Sequence, residues 1–203
     1  MNDPIKVTAL VGTYRKGGMI DSAVDEILAS AREEGAEVGK IYLVDKSIEF
    51  CTNCRACTQK PGERRGECPQ HDEMAALLDE LERSDAIILA SSMNFWTVTA
   101  IMKRFMERLV CFAYWPWGQA GPKTRDTRRD KRAVVVCSSA APAILARLRT
   151  RMSGLLKTAA DLLGARTVGV LFMGLSAMKE HQKLSERQKR KARLLGKRLV
   201  GKG

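Results

Sequence analysis

Five short apolar runs, separated by stretches of helical periodicity, constrain this chain more than any other feature. The runs are residues 5–11, the stretch around Ile41 and Leu43, and residues 86–90, 133–137 and 168–172. Between them, apolar residues recur three and four apart. The first such helix runs over about 21–34, with Ala23, Val24, Ile27, Leu28 and Ala31 on one face. Met74, Leu77, Leu78 and Leu81 mark a second helix, and Val98, Ile101, Met102, Phe105 and Leu109 a third. Ile144, Leu148, Leu155, Leu156, Ala159 and Leu162 read as one fourth helix, and residues 185–200 as the last. A strand that is apolar at every position is buried on both faces. Strands of that kind alternating with helices predict an α/β fold with a parallel sheet covered on both sides. Gly35 and Gly164 stand where C-terminal caps belong, and Ser185 and Gln188 have capping-box spacing. Leu184, Leu194, Leu195 and Leu199 are expected to dock the last helix. With no repeat, low-complexity tract or linker, residues 1–203 read as one domain, with a cysteine-containing loop at 51–70 and an irregular insertion at 111–131.

The net charge of +12 is concentrated in residues 123–132 and 179–202. No nucleic-acid motif accompanies it, so it reads as a solvated basic surface that attracts phosphorylated cofactors, and nucleic acid is not an expected partner. No apolar run is long enough to cross a bilayer, and the first residues lack a signal-peptide pattern. The expectation is a cytoplasmic protein away from the membrane, with its six cysteines as thiols or metal ligands rather than disulfides.

Ligands of such sheets bind beyond the C-terminal strand ends. The loop after the first strand, 12–22, holds Thr13, Arg15, Lys16, Gly17 and Gly18 before a helix starts. A strand, a glycine-rich turn and a helix aim backbone N–H groups and a helix N-terminus at a phosphate. The loop has neither G-x-G-x-x-G nor G-x-x-x-x-G-K-[ST], which argues against dinucleotide and triphosphate turns and leaves one terminal phosphate. The alternative is an ordinary strand–helix turn. The loop after the third strand carries Ser92, Met93, Asn94, Phe95 and Trp96. Its small polar residues leave room for a heterocycle on which the two aromatics can stack, or the aromatics cap the sheet or fill an interface. The loop after the fourth strand offers Ser138, Ser139 and Ala140.

Cys51, Cys54, Cys57 and Cys68 form a C-x2-C-x2-C-x10-C array. Cysteines this close can wrap a [4Fe-4S] cluster. Zinc and metal-free thiols are the alternatives. Cys111 and Cys137 read as isolated core thiols. Neither His71 nor His181 sits in a nucleophile–base pattern.

Taken together, these residues resemble the NADPH-dependent FMN reductase family of flavodoxin-like proteins. Thr13 and Arg15 match the family's first loop, whose closing Asn-Thr pair is replaced here by Met19-Ile20. Residues 92–96 stand where the family has a proline and a tyrosine. Residues 103–108 resemble its lysine-phenylalanine-acid-arginine helix, and 138–141 its third loop. The cysteine array is similar to that of the iron-sulfur flavoprotein branch, with a longer gap before Cys68. The resemblance implies a flavodoxin-like three-layer sandwich with strand order 2-1-3-4-5. It implies FMN held at its phosphate by Thr13, Arg15 and Gly18, with Met19 and Ile20 beside them. Ser92, Met93, Asn94, Phe95, Trp96, Ser138, Ser139 and Ala140 would border the ring. It also implies hydride transfer from NAD(P)H through the flavin to a quinone, flavin or other small acceptor, with no side-chain acid or base, in a homodimer or homotetramer touching through 111–131. Two alternatives stand beside it: an electron carrier with a [4Fe-4S] cluster on Cys51, Cys54, Cys57 and Cys68, and a flavin-free basic binding module.

Overall fold

The computed structural model describes residues 3–62 and 64–201. Residue 63 of the cysteine loop and residue 202 of the last basic run lie outside them. The elements follow in the order β1 (Lys6–Gly12), α1 (Met19–Glu33), β2 (Glu37–Tyr42), α2 (Met74–Glu82), β3 (Ala86–Asn94), β4 (Thr97–Val98) and α3 (Ala100–Arg108). Then come β5 (Ala113–Tyr114), β6 (Lys123–Thr124), β7 (Lys131–Ser138), α4 (Ala143–Arg149), α5 (Met152–Leu162), β8 (Ala165–Met173) and α6 (Glu186–Leu199). The long strands form one parallel sheet in the order β2-β1-β3-β7-β8. Counting only those five, this is the expected order 2-1-3-4-5. No described helix is long and apolar enough to cross a membrane.

The side-chain alternation of each central strand splits the core in two. Val7, Ala9 and Val11 of β1, Ile88 and Ala90 of β3, and Val134 and Val136 of β7 face α1 and α6. Leu10, Ile87, Leu89, Val135 and Cys137 point the other way, against α2, α3 and α5. Gly35 and Gly164 have positive φ, as their cap positions require. The Ser185–Gln188 capping box is present in full.

Five details differ from the sequence pattern. The fourth helix is two, because Thr150 is extended and breaks it. Ile144 and Leu148 of α4 are exposed, so their helical spacing does not report a core face. Val98 belongs to a two-residue hairpin strand paired with β3 rather than to the third helix. Leu194 is 44% exposed, and Ala192, Leu195 and Leu199 dock α6. The ribbon β5-β6 lies inside the segment read as irregular.

One buried residue ties the loop edge together. The Thr99 hydroxyl donates to the Gly12 carbonyl (2.7 Å) at the end of β1. It also accepts from the Met102 amide (3.3 Å), capping α3, while the Thr99 amide donates to Ser91 Oγ (3.1 Å) on β3. Three elements are thus pinned at the point where ligand loops emerge. Thr99→Val keeps the shape but removes the cap and strands the Gly12 carbonyl. It should lower the unfolding free energy by about 1–3 kcal/mol in a urea titration.

Candidate functional site

A cavity of about 700 Å³ opens at the C-terminal edge of the sheet. Thr13, Arg15, Gly18, Met19, Ile20, Ser92, Met93, Asn94, Ser138, Ser139 and Ala140, all expected at one site, line it together. The first intrahelical bond of α1 runs from the Ser22 amide to the Gly18 carbonyl (2.9 Å). The amides of Met19 and Ile20 come before it, at the positive end of the helix, on the cavity wall. Backbone donors of this kind can hold a phosphate whatever side chains follow, so Met19-Ile20 in place of Asn-Thr leaves those donors unchanged.

Phe95 and Trp96 do not line the cavity. They form the two-residue turn between β3 and β4, both with positive φ (47° and 63°), and Phe95 is fully exposed. Such a turn ordinarily takes Asn-Gly. Bulky residues there store strain of about 1–3 kcal/mol each, and Thr150 Oγ1 holds the turn at the Trp96 carbonyl (2.5 Å).

The strap between β8 and α6 also lines the cavity and was not singled out from the sequence. Ser176 Oγ donates to the Ser139 carbonyl (2.8 Å), stitching the strap to the third loop. Gln182 braces it through the Leu175 carbonyl (2.8 Å) and the Met178 amide (3.0 Å). Arg15 donates to the Glu180 carbonyl, and the strap adds Lys179, His181 and Lys183 to the rim. The only sequence signal was the local excess of Lys.

Beneath the first loop, Asp21 is nearly buried. It accepts from the Gly17 amide (2.6 Å), Lys40 Nζ (2.8 Å) and Tyr42 Oη (2.8 Å). Burial raises its pKa, but Lys40, the Gly17 amide and Tyr42 outweigh burial, so the carboxyl sits below its usual value. Burial likewise lowers Lys40, and Asp21, Asp25 and Tyr42 carry it well above its usual range. This network fixes the turn at Gly17.

The four array cysteines, 51, 54, 57 and 68, line a second, smaller cavity of about 240 Å³ together with Arg55, Arg108 and Trp115. Asn53 and Arg55 are left-handed (φ 54° and 60°) and coil the chain around the cavity, with Cys57 buried, Cys51 partly buried and Cys54 exposed at its mouth. Arg55 is held in that conformation between the rings of Trp115 and Trp117, 3.8 and 4.1 Å from their centroids. It also donates to the Trp115 carbonyl (2.5 Å). The segment 111–131, expected at a subunit contact, roofs the cysteine loop within the same chain.

Cys68 returns to the ring because Gly66 lies against the loop: a Cβ there would stand 1.7 Å from the Cys57 carbonyl oxygen. The Gly66 amide donates to the Cys111 carbonyl (2.7 Å). Cys111 is therefore not isolated. It is buried beside the loop, and burial pushes its thiol up to about 12. Cys57 is raised to about 11, first by burial and then by Cys68, Cys51 and Cys54, which sit close enough to disfavour its ionisation. Cys54 is lowered by hydrogen bonds from the Ala56 amide and Thr52. Among the described residues no three His, Cys, Asp or Glu groups converge on one metal ion. In a [4Fe-4S] cubane each thiolate takes a different iron, so a ring of sulfurs around a cavity is the arrangement such a cluster needs.

The sheet order and the loop-edge cavity define a flavodoxin-like α/β protein. An archaeal flavodoxin superposes with a TM-score of 0.56 at 12% identity, over 97% of this chain and 96% of that one. An FMN-dependent NADH-azoreductase from Bacillus anthracis, solved with FMN, gives 0.70 at 12% identity over 98% and 100%. The chain belongs to the NADPH-dependent FMN reductase family, whose sequence model matches residues 5–151. It is also similar to an iron-sulfur flavoprotein of Archaeoglobus fulgidus, 37% identical over 112 residues, 55% of this chain and 49% of that protein. A Methanocaldococcus jannaschii iron-sulfur flavoprotein is 34% identical over 104 residues, 51% of each chain. The chain spans about half the length of these curated relatives.

Asp21→Asn should cost about 1–3 kcal/mol by leaving Lys40 without its buried partner. Because the folded carboxyl's pKa is depressed, its stabilisation is complete above the unfolded value of about 3.9 and is lost as pH falls through the folded one. The stability gap between wild type and variant, measured by urea titration, should be flat from about pH 5 to 8 and narrow below about pH 4. In Gly66→Ala the two closest atoms the new Cβ meets are Cys57 backbone, which cannot swing aside as the Arg125 side chain could. The substitution should destabilise by at least the ~1–3 kcal/mol typical of overpacking, read from the urea midpoint.

Proposed function

We propose that this chain is an FMN-dependent redox protein of the iron-sulfur flavoprotein type. It would bind FMN in the larger cavity and a [4Fe-4S] cluster on Cys51, Cys54, Cys57 and Cys68. The observation that carries this reading is that all four cysteines of the array, Cys68 included, line one cavity at the loop edge that also holds the phosphate corner. Family membership supports the flavin, and both favour this reading over a flavin-free binding module. When bound, the flavin exchanges a hydride or single electrons and the cluster exchanges single electrons.

The chain's own residues bind and orient. The Met19 and Ile20 amides, Thr13 and Arg15 hold the phosphate. Ser92, Asn94 and the 138–140 loop offer polar groups to the ring edge. The strap lines the cavity beside the phosphate corner, tied to Arg15 through the Glu180 carbonyl. Arg55 and Trp115 roof the cysteine cavity.

A second reading, a reductase driven by NAD(P)H, has one favourable observation. Lys179, Lys183 and Lys189 line the larger cavity beside Arg15 and suit a further phosphorylated ligand. A small quinone, flavin or similar acceptor follows from either reading, as does assembly into dimers or tetramers.

Anaerobic purification followed by reconstitution with iron and sulfide tests the main proposal. One FMN and about four irons per chain are expected. Flavin without iron after reconstitution overturns the cluster, and protein that refuses FMN overturns the whole reading. Bleaching of the flavin by NADPH or NADH separates the second reading. Arg15→Ala should weaken FMN about 10- to 100-fold in a fluorescence titration, the value of one charge-assisted phosphate bond.

A further inference from the structure

Arg108 is an arginine with almost no exposed surface, at the C-terminal end of α3. Its Nη1 donates to Asp72 Oδ2 (2.6 Å) and the Glu49 carbonyl (2.9 Å). Its Nη2 donates to Asp72 Oδ1 (3.2 Å) and to Cys68 Sγ (3.5 Å). Asp72 is equally buried, at 4% side-chain exposure, and is itself fixed by the Glu49 amide (2.8 Å) and the Met74 amide (3.0 Å). The guanidinium is therefore clamped on its carboxylate side, with one N–H directed at a sulfur of the array. A buried pair of this kind costs desolvation that a hydrophobic pair would avoid, so stability alone is a weak reason for it. Arg108 also forms part of the wall shared by the cysteine cavity and a neighbouring cavity of about 500 Å³ lined by Cys68, His71 and Cys111.

We infer that Arg108 is the positioning residue of the cysteine site: it fixes the Cys68 sulfur as the fourth ligand and, with Asp72 as its counter-charge, sets the reduction potential of the group held there. The inference rests on the proposed [4Fe-4S] reading. Reduction by one electron makes the cluster and its four thiolates more negative by one charge. A cation and an N–H donor at one sulfur stabilise that reduced form and raise the potential, and a nearby carboxylate lowers it. The two members of the pair must then act with opposite sign.

The test is an anaerobic dithionite titration of the reconstituted, FMN-loaded protein, followed by the paramagnetic signal of the reduced cluster. Arg108→Gln should shift the midpoint downward and Asp72→Asn upward. A tenfold change in the reduction equilibrium corresponds to about 59 mV for one electron. Arg108→Lys, which keeps the charge but not the fork, should recover part of the loss. Should Arg108→Gln fail to fold, Asp72→Asn still decides, because it leaves the cation in place. An unmoved or lowered midpoint in Asp72→Asn, or both variants shifting the same way, overturns the inference while the cluster stands. Wild-type protein that takes up no iron overturns the cluster reading, and this inference with it.

Discussion

A parallel sheet buried on both faces leaves polar chemistry only its edges, and in this chain nearly all of it gathers at one. Helices cover Val7 to Val11, Ala86 to Ala90 and Ala133 to Cys137 from both sides, so none of those residues can meet a ligand. The loops after β1, β2, β3, β7 and β8 emerge together at the C-terminal edge. The Thr99 bonds to Gly12 and Ser91 hold two of them at a fixed spacing, and Ser176 holds the fourth to the fifth. The cavity is the space these bonds leave between loops.

The cysteine site is made differently. It has no strand behind it, only a coil of left-handed residues whose strain is held by other groups. Arg55 is secured by two tryptophan rings, Gly66 by a contact no side chain could share, and Cys68 by a guanidinium already committed to a carboxylate. The loop is thus held mainly by side chains and backbone of other segments, with α3 reaching it through Arg108. The insertion at 111–131 supplies the roof, and so the two segments that looked irregular in the sequence explain each other.

The sheet was readable because its signal is local: an apolar residue at every position of a short run means burial on both sides wherever the run ends up. The first-loop wall of the cavity was readable for the same reason, since a glycine-rich turn and a helix start are contiguous in the chain. The split between α4 and α5 was not readable. The apolar spacing of Ile144 and Leu148 continues smoothly toward Leu155, and the extended backbone of Thr150 and the exposure of α4 set the two helices apart. Nor was the outward position of Phe95 and Trp96, because two large aromatics contradict the turn they occupy and are held there by Thr150 from a distant segment.

From the sequence alone follow the α/β class, the strand order implied by the family resemblance, and the first-loop residues and four cysteines that the structure gathers at two cavities. Each depends on periodicity or on residues adjacent in the chain. What only the tertiary structure decided are the contacts between segments tens of residues apart. These are the strap over Arg15, the tryptophan roof over Arg55, the closure of the ring by Cys68 through Gly66, and the buried Arg108–Asp72 pair behind it. Charge pairing and close packing act through space, and a one-dimensional pattern carries no record of which side chains they will join.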